Sequence, residues 1–152
     1  MRPLLLPLSL CLLLLCCGSD GEQFYIGDRV IKLLTEKGSW DQMSIACRRE
    51  GGHMIKIDSA DLMHDLVNIL KNNVWDKANY WIGATNVGHE SVFRWHDGSK
   101  VKMGTPFWGI HRGGQEPNGN LETCVFMDKS NFMYLADALC SDNFGVLCEL
   151  PG

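Results

Sequence analysis

The sequence predicts a single α+β domain. Two segments of helical periodicity lie in the first half, between residues 39 and 73. Short aromatic and β-branched runs fill the second half, after residue 78. Four cysteines, Cys47, Cys124, Cys140 and Cys148, are spread through these elements, as in a disulfide-stapled extracellular domain.

The N-terminus stands apart from this pattern. Arg2 precedes an apolar run from Leu4 to Leu15, and Cys16 and Gly18 supply small residues after it. This is the layout of a secretory signal over residues 1–18, cleaved near Gly18 and too short to span a bilayer. The domain is then 19–152, and the product is expected to be secreted, soluble and extracellular, with no membrane span. Cleavage removes Cys11, Cys16 and Cys17, which turns seven cysteines into four. Four cysteines allow two disulfides in three possible pairings. Losing Arg2 leaves 13 basic side chains against 18 acidic, a net of −5. No basic run exists, which excludes nucleic acid and anionic membranes as expected partners.

Gln23 to Leu34 mixes aromatic, β-branched and charged residues without proline and predicts a strand or two. Ser39 and Gln42 have capping-box spacing, so a helix is expected from Trp40. Its buried face is Trp40, Met43, Ala46 and Cys47, and Gly51-Gly52 end it. "HMIKI" predicts a short strand. A second helix follows Ser59, with Leu62, Leu66, Ile69 and Leu70 as its apolar stripe and Asn72-Asn73 as its stop. "NYWIGA" and "VFRW" predict strands, and "HDGS" a turn. Met103 to Leu121 is a long glycine-rich loop, of a length usually functional in compact domains. "TCVFM", "FMYLA" and "FGVLCEL" predict closing strands.

The chemistry concentrates in "QEPNGNLETC", residues 115–124. Glu116, Asn118 and Glu122 offer hard oxygen donors, and Pro117 stiffens the link between the first two. This composition suits a calcium loop or an ordinary polar turn. Nothing favours an enzyme: there is no Gly-x-Ser-x-Gly elbow or His-Glu-x-x-His motif, and His53, His64, His89, His96 and His111 lack ligand spacing.

"WDQMSIACRREGGHMIKI", "YWIGA", "FRWHDGS", "QEPN", "ETC" and "FGVLCEL" resemble, in order and spacing, the C-type lectin-like domain over residues 23 to 150. The resemblance implies two helices flanking small antiparallel sheets, with a long irregular loop region carrying the ligand site. It implies the pairs Cys47–Cys148 and Cys124–Cys140. In the chain-entropy model these loops, of roughly 100 and roughly 15 residues, are worth ~4–5 and ~3 kcal/mol. Trp81, Ile82, Gly83, Trp95 and Trp108 are expected to pack the core beneath the loop rather than to contact a ligand.

The resemblance also implies one calcium ion, held by Glu116, Asn118, Glu122 and Asp137, with the same four residues contacting a sugar. A cis bond before Pro117 would aim its neighbours at one ion. The Glu-Pro-Asn order is similar to that of lectins for mannose, fucose and N-acetylglucosamine. The expected partners are therefore glycans, as on microbial surfaces, in an innate-immune role similar to that of invertebrate humoral lectins, with a homo-oligomer as a route to avidity. One departure stands out. Where the family has Trp-Asn-Asp, this chain has Leu135, Ala136 and Asp137, so one ligand is missing. Glu90 lies near a position of the family's auxiliary calcium site, but Gly119 stands where an acid would help. The alternative expectation is a calcium-independent module that binds a protein or other ligand through Trp108, His111 and Arg112.

Overall fold

A computed structural model describes residues 21–89, 91–102, 107–111, 113–118, 121 and 123–152. The expected signal segment, Glu90, Arg112, Gly119 and Glu122 lie outside the described residues.

The chain opens with a hairpin, β1 (Gly21–Ile26) and β2 (Arg29–Gly38). Ile26 pairs with Arg29 across a two-residue turn whose first residue, Gly27, has φ +60°. Glycine adopts that angle without a Cβ clash, and the turn geometry fixes the strand register. Helix α1 (Trp40–Arg49) follows. The Ser39 side chain accepts from the Gln42 N–H while the Gln42 side chain accepts from the Ser39 N–H, the reciprocal cap read from the spacing. Strand β3 is only His53–Met54; the rest of "HMIKI" is extended and buried at Ile55 and Ile57 but outside the strand. Helix α2 (Ala60–Asn72) is capped by Ser59 and buries Leu62, Met63, Leu66 and Leu70. Ile69, expected in that stripe, is only half-buried, and Met63 takes its place.

The second half supplies β4 (Tyr80–Thr85), β5 (Arg94–Trp95), a small hairpin of β6 (Ile110–His111) and β7 (Gly114–Gln115), then β8 (Thr123–Asp128), β9 (Tyr134–Leu139) and β10 (Phe144–Leu150). The main sheet has eight strands. Six run in the order β1-β2-β10-β4-β8-β9, with β3 against β10 and β5 against β4. Of the small antiparallel sheets expected, β6–β7 is one; the other strands join in a single mixed sheet, because β10 pairs with β4 in parallel and joins the two halves. The last expected strand also shifts. Phe132 and Met133 have φ 54° and 66°, so β9 starts at Tyr134, two residues later than expected.

Strand alternation divides the core in two. Ile31, Leu33, Ile82, Val125, Met127, Leu135 and Leu147 pack with α2. Leu34, Trp81, Phe126, Ala136, Val146 and Cys148 pack with Met43 and Cys47 of α1. The sheet is therefore covered on both faces, one helix to each, which is why its strands read as nearly continuous apolar runs. Cys47 is bonded to Cys148 and Cys124 to Cys140, across 101 and 16 residues. The first bridge ties α1 to β10. The second ties β8 to the turn after β9.

Two tryptophans fix the frame with hydrogen bonds: Trp40 Nε1 donates to the Ile82 carbonyl and Trp81 Nε1 to the Gly38 carbonyl, both at 2.9 Å. Between them Gly83 lets the Met54–Ile55 backbone approach. A Cβ at Gly83 would sit 2.8 Å from the Met54 oxygen and 3.1 Å from that of Ile55. Both belong to held backbone: Gly83 N–H bonds the Ile55 oxygen at 2.9 Å, and Met54 is paired with Cys148 of β10. Gly83→Ala is therefore expected to destabilise the domain by about 1–3 kcal/mol, read as a lowered urea midpoint with unchanged slope. An unchanged midpoint would mean that the backbone there adjusts freely.

Candidate functional site

The long loop is stitched to β9 by a ladder of backbone bonds. Leu135 N–H donates to the Phe107 oxygen at 2.6 Å, Gly109 N–H to the Leu135 oxygen at 2.9 Å, and Glu116 N–H to the Gly109 oxygen at 2.9 Å. The β6–β7 hairpin then turns the chain back so that Glu116 arrives beside β9. That hairpin escaped the sequence reading, since its strands are only two residues each.

Three of the four proposed ligands meet there. The Glu116–Pro117 peptide bond is cis. Asn118 Nδ2 donates to Glu116 Oε1 at 2.7 Å, and Asn118 N–H donates to Asp137 Oδ1 at 2.9 Å. Glu116 is only 5% exposed. The second oxygen of each carboxylate, Glu116 Oε2 and Asp137 Oδ2, is buried with no hydrogen-bond donor. Burial, and then contact with the Asp137 carboxylate, push the Glu116 pKa up to about 7 from its ordinary 4.5. The N–H groups of Asp137 and Asn118 act in the opposite direction but do not outweigh these effects. Two carboxylates drawn together, each with an orphaned oxygen, form a site that lacks positive charge.

A hard divalent cation fits this donor set: two carboxylates and the Asn118 amide oxygen, all flexible oxygen ligands. Glu122, the fourth proposed ligand, lies outside the described residues. Among the described residues no group of three His, Cys, Asp or Glu side chains gathers for a metal. The auxiliary position at Glu90 also lies outside them.

Ala136 is 4% exposed and pairs with Phe126 in the β8–β9 ladder. Its methyl belongs to the α1-side core, whereas Asp137, the next residue, presents to the opposite face. Alanine here completes an apolar layer as well as removing an amide.

Asn86 was not singled out in the sequence. It is 2% exposed, with Oδ1 accepting from the Thr123 N–H at 2.6 Å and Nδ2 donating to the Leu121 oxygen at 3.2 Å. It thus grips both neighbours of Glu122. No local pattern announces this, because the partners are 35 and 37 residues away. His53 and His96, which show no ligand spacing, also meet, with ring centroids 4.0 Å apart. Burial and the His53 ring hold His96 below the ordinary histidine range. Trp108, offered as part of a contact surface in the alternative reading, is 6% exposed and packs against Phe93 in the core. It cannot serve that surface. Of His111 only the backbone is described, and Arg112 is outside the described residues.

Comparison with known proteins bears on the fold and the family. The family model described as "Lectin C-type domain" matches residues 36–150. A perlucin-like protein from Mytilus galloprovincialis is 30% identical over 113 residues, covering 72% of this chain and 69% of that protein. C-type lectin domain family 4 member A from Mus musculus is 28% identical over 110 residues, covering 72% of this chain but 42% of that protein. Among solved structures, the C-type lectin domain of murine dendritic cell inhibitory receptor 2, in complex with N-glycan, superposes with a TM-score of 0.67. It is 24% identical, and the match covers 86% of this chain and 96% of that one. Fold and matched span agree: this chain belongs to the C-type lectin domain family, whose members are binding domains rather than enzymes.

Proposed function

We propose that the protein is a secreted lectin that binds mannose-type sugars (mannose, fucose or N-acetylglucosamine) through one calcium ion held by Glu116, Asn118, Glu122 and Asp137. The observation that carries this is the pair of buried, unpartnered carboxylate oxygens on Glu116 and Asp137. The named N-glycan on a relative's domain supports a saccharide ligand.

When bound, calcium supplies direct coordination for two neighbouring sugar hydroxyls. The chain's own groups read the rest: the Glu116 and Asp137 carboxylates accept from hydroxyl hydrogens, and the Asn118 amide donates to a hydroxyl oxygen. Asn86 positions the segment around Glu122. Single sites of this kind are weak, so recognition of microbial glycans in innate immunity would draw on several domains presented together. The two disulfides fit an oxidising, extracellular setting, with residues 1–18 as the signal that leads there. No helix among the described residues is long and apolar enough to cross a membrane.

A second reading rests on Ala136. With one amide ligand fewer than the family pattern, the domain would bind a protein or other ligand without calcium. Calorimetry separates the two. The oxidised mature domain is expected to bind one calcium ion with a Kd on the order of 10⁻⁴–10⁻³ M and to be retained on mannose only in its presence. Glu116→Gln should weaken calcium at least about tenfold, and Asn86→Ala should weaken it by about 10–100-fold while leaving the other described contacts intact. Unchanged ligand retention in EDTA would establish the calcium-independent reading.

The raised Glu116 pKa gives the site a pH signature. The folded state holds this proton more tightly than the unfolded chain. Its stabilising contribution is therefore complete below about pH 4.5 and is lost as pH rises towards 7. In EDTA, Glu116→Gln should remove that downward slope from a plot of Tm against pH. In calcium, the ion must displace the proton, so affinity should rise from pH 5.5 to about pH 8. A flat calcium affinity over that range would show that Glu116 is already ionised and is not the group displaced.

A further inference from the structure

A cavity lies on the α2 side of the sheet, against β9. Its volume is about 350 Å³. The floor is apolar, with Trp95, Phe107 and Leu135 all buried. The rim is cationic, carrying Lys56, Lys100 and Lys102. Lys56 is pinned, its Nζ bonded to Asp97 Oδ2 at 2.7 Å and to Ser99 Oγ at 2.8 Å. Lys100 and Lys102 are exposed and form no ion pair with a described residue. Asp58, also on the rim, is 3.5 Å from Arg29 and so is partly neutralised from outside the cavity. The chain as a whole carries a net charge of −4, so a cavity rimmed by two lysines with no ion-pair partner among the described residues runs against the global balance. None of these groups is a candidate metal ligand.

We infer that this cavity is a metal-independent subsite for an acidic saccharide, taking a sulfate or carboxylate on its lysine rim and the ring's apolar face on its floor. The rim fits the anion by charge: Lys100 and Lys102 present ammonium donors that no described residue pairs, and an anionic oxygen accepts from them in charge-assisted hydrogen bonds. The floor fits the ring, because a bare inorganic anion gains nothing from Trp95, Phe107 and Leu135. Its position fits a saccharide that also reaches the calcium loop. Leu135 and Asp137 point to the same face of β9, two residues and about 7 Å apart.

The test is a calorimetric titration of the oxidised domain in EDTA, which removes any calcium-dependent binding and so keeps this proposal separate from the first site. The probes are N-acetylglucosamine 6-sulfate, glucuronic acid, neutral N-acetylglucosamine and inorganic sulfate, at matched ionic strength. The sulfated sugar and the uronic acid are expected to bind, and the neutral sugar to bind at least about tenfold more weakly. The paired variant Lys100→Gln/Lys102→Gln should reduce the acidic-sugar affinity at least about tenfold, with Tm unchanged because both side chains are exposed. Raising salt from about 50 to about 500 mM should reduce it further. Equal binding by the paired variant would overturn the proposal. So would equal binding of the neutral sugar. Inorganic sulfate binding as tightly as the sulfated sugar would overturn the saccharide assignment.

Discussion

Everything in this fold depends on β10. It is the last strand in sequence and a central one in space, antiparallel to β2 and β3 and parallel to β4. Its Cys148 is bonded to α1. Its partners all come from earlier in the chain, and its pairing with β2 closes a loop of more than a hundred residues. Such contacts are entropically late, and a covalent bridge between the same regions removes much of that cost from the unfolded chain. With the ends joined here, the middle of the chain is free to leave the sheet. The segment before β8 can then be spent on side chains that gather oxygens instead of filling a core.

That division explains what the residues revealed in advance. The helices were legible because each carries a local signal: Ser39 with Gln42, Ser59 at the next start, and apolar positions at helical spacing. The cluster of Glu116, Asn118 and Asp137 was legible only through family resemblance, since Asp137 is 19 residues from Asn118 and nothing local brings them together. What stayed hidden was long-range or conformational. The single mixed sheet requires knowing that β10 meets β4. Asn86 looks like any polar residue after a strand until its two partners are seen. Phe132 has strong strand propensity, yet it sits exposed in a left-handed turn with Lys71 5.9 Å from its ring. Turn geometry there overrides side-chain preference.

The alternation of β9 gives Ala136 a double meaning. Residues 135 and 137 serve the loop side, while Ala136 and Ala138 pack toward α1 and Phe126. A polar residue at 136 would have to bury an amide among apolar neighbours or shift the strand, either of which is costly. The acidic pair beside it, by contrast, joins Asp137 of the strand to Glu116 of the loop. The apolar layer and the oxygen cluster are thus adjacent in sequence but mechanically distinct.

The strand order has a consequence for display. β9, which carries Asp137, ends one side of the order, while β2 and β10 lie on the other side of β4. Four strand spacings separate β2 from β9, about 19 Å. Gly152 lies close to Asp28 in the turn between β1 and β2, so the C-terminal end of β10 emerges beside that turn. A surface or scaffold gripping the domain by that edge would leave the Glu116 loop pointing outward. Presentation geometry, and with it the spacing of any glycan pattern a cluster of such domains can match, is then set by the edge that carries no recognition chemistry.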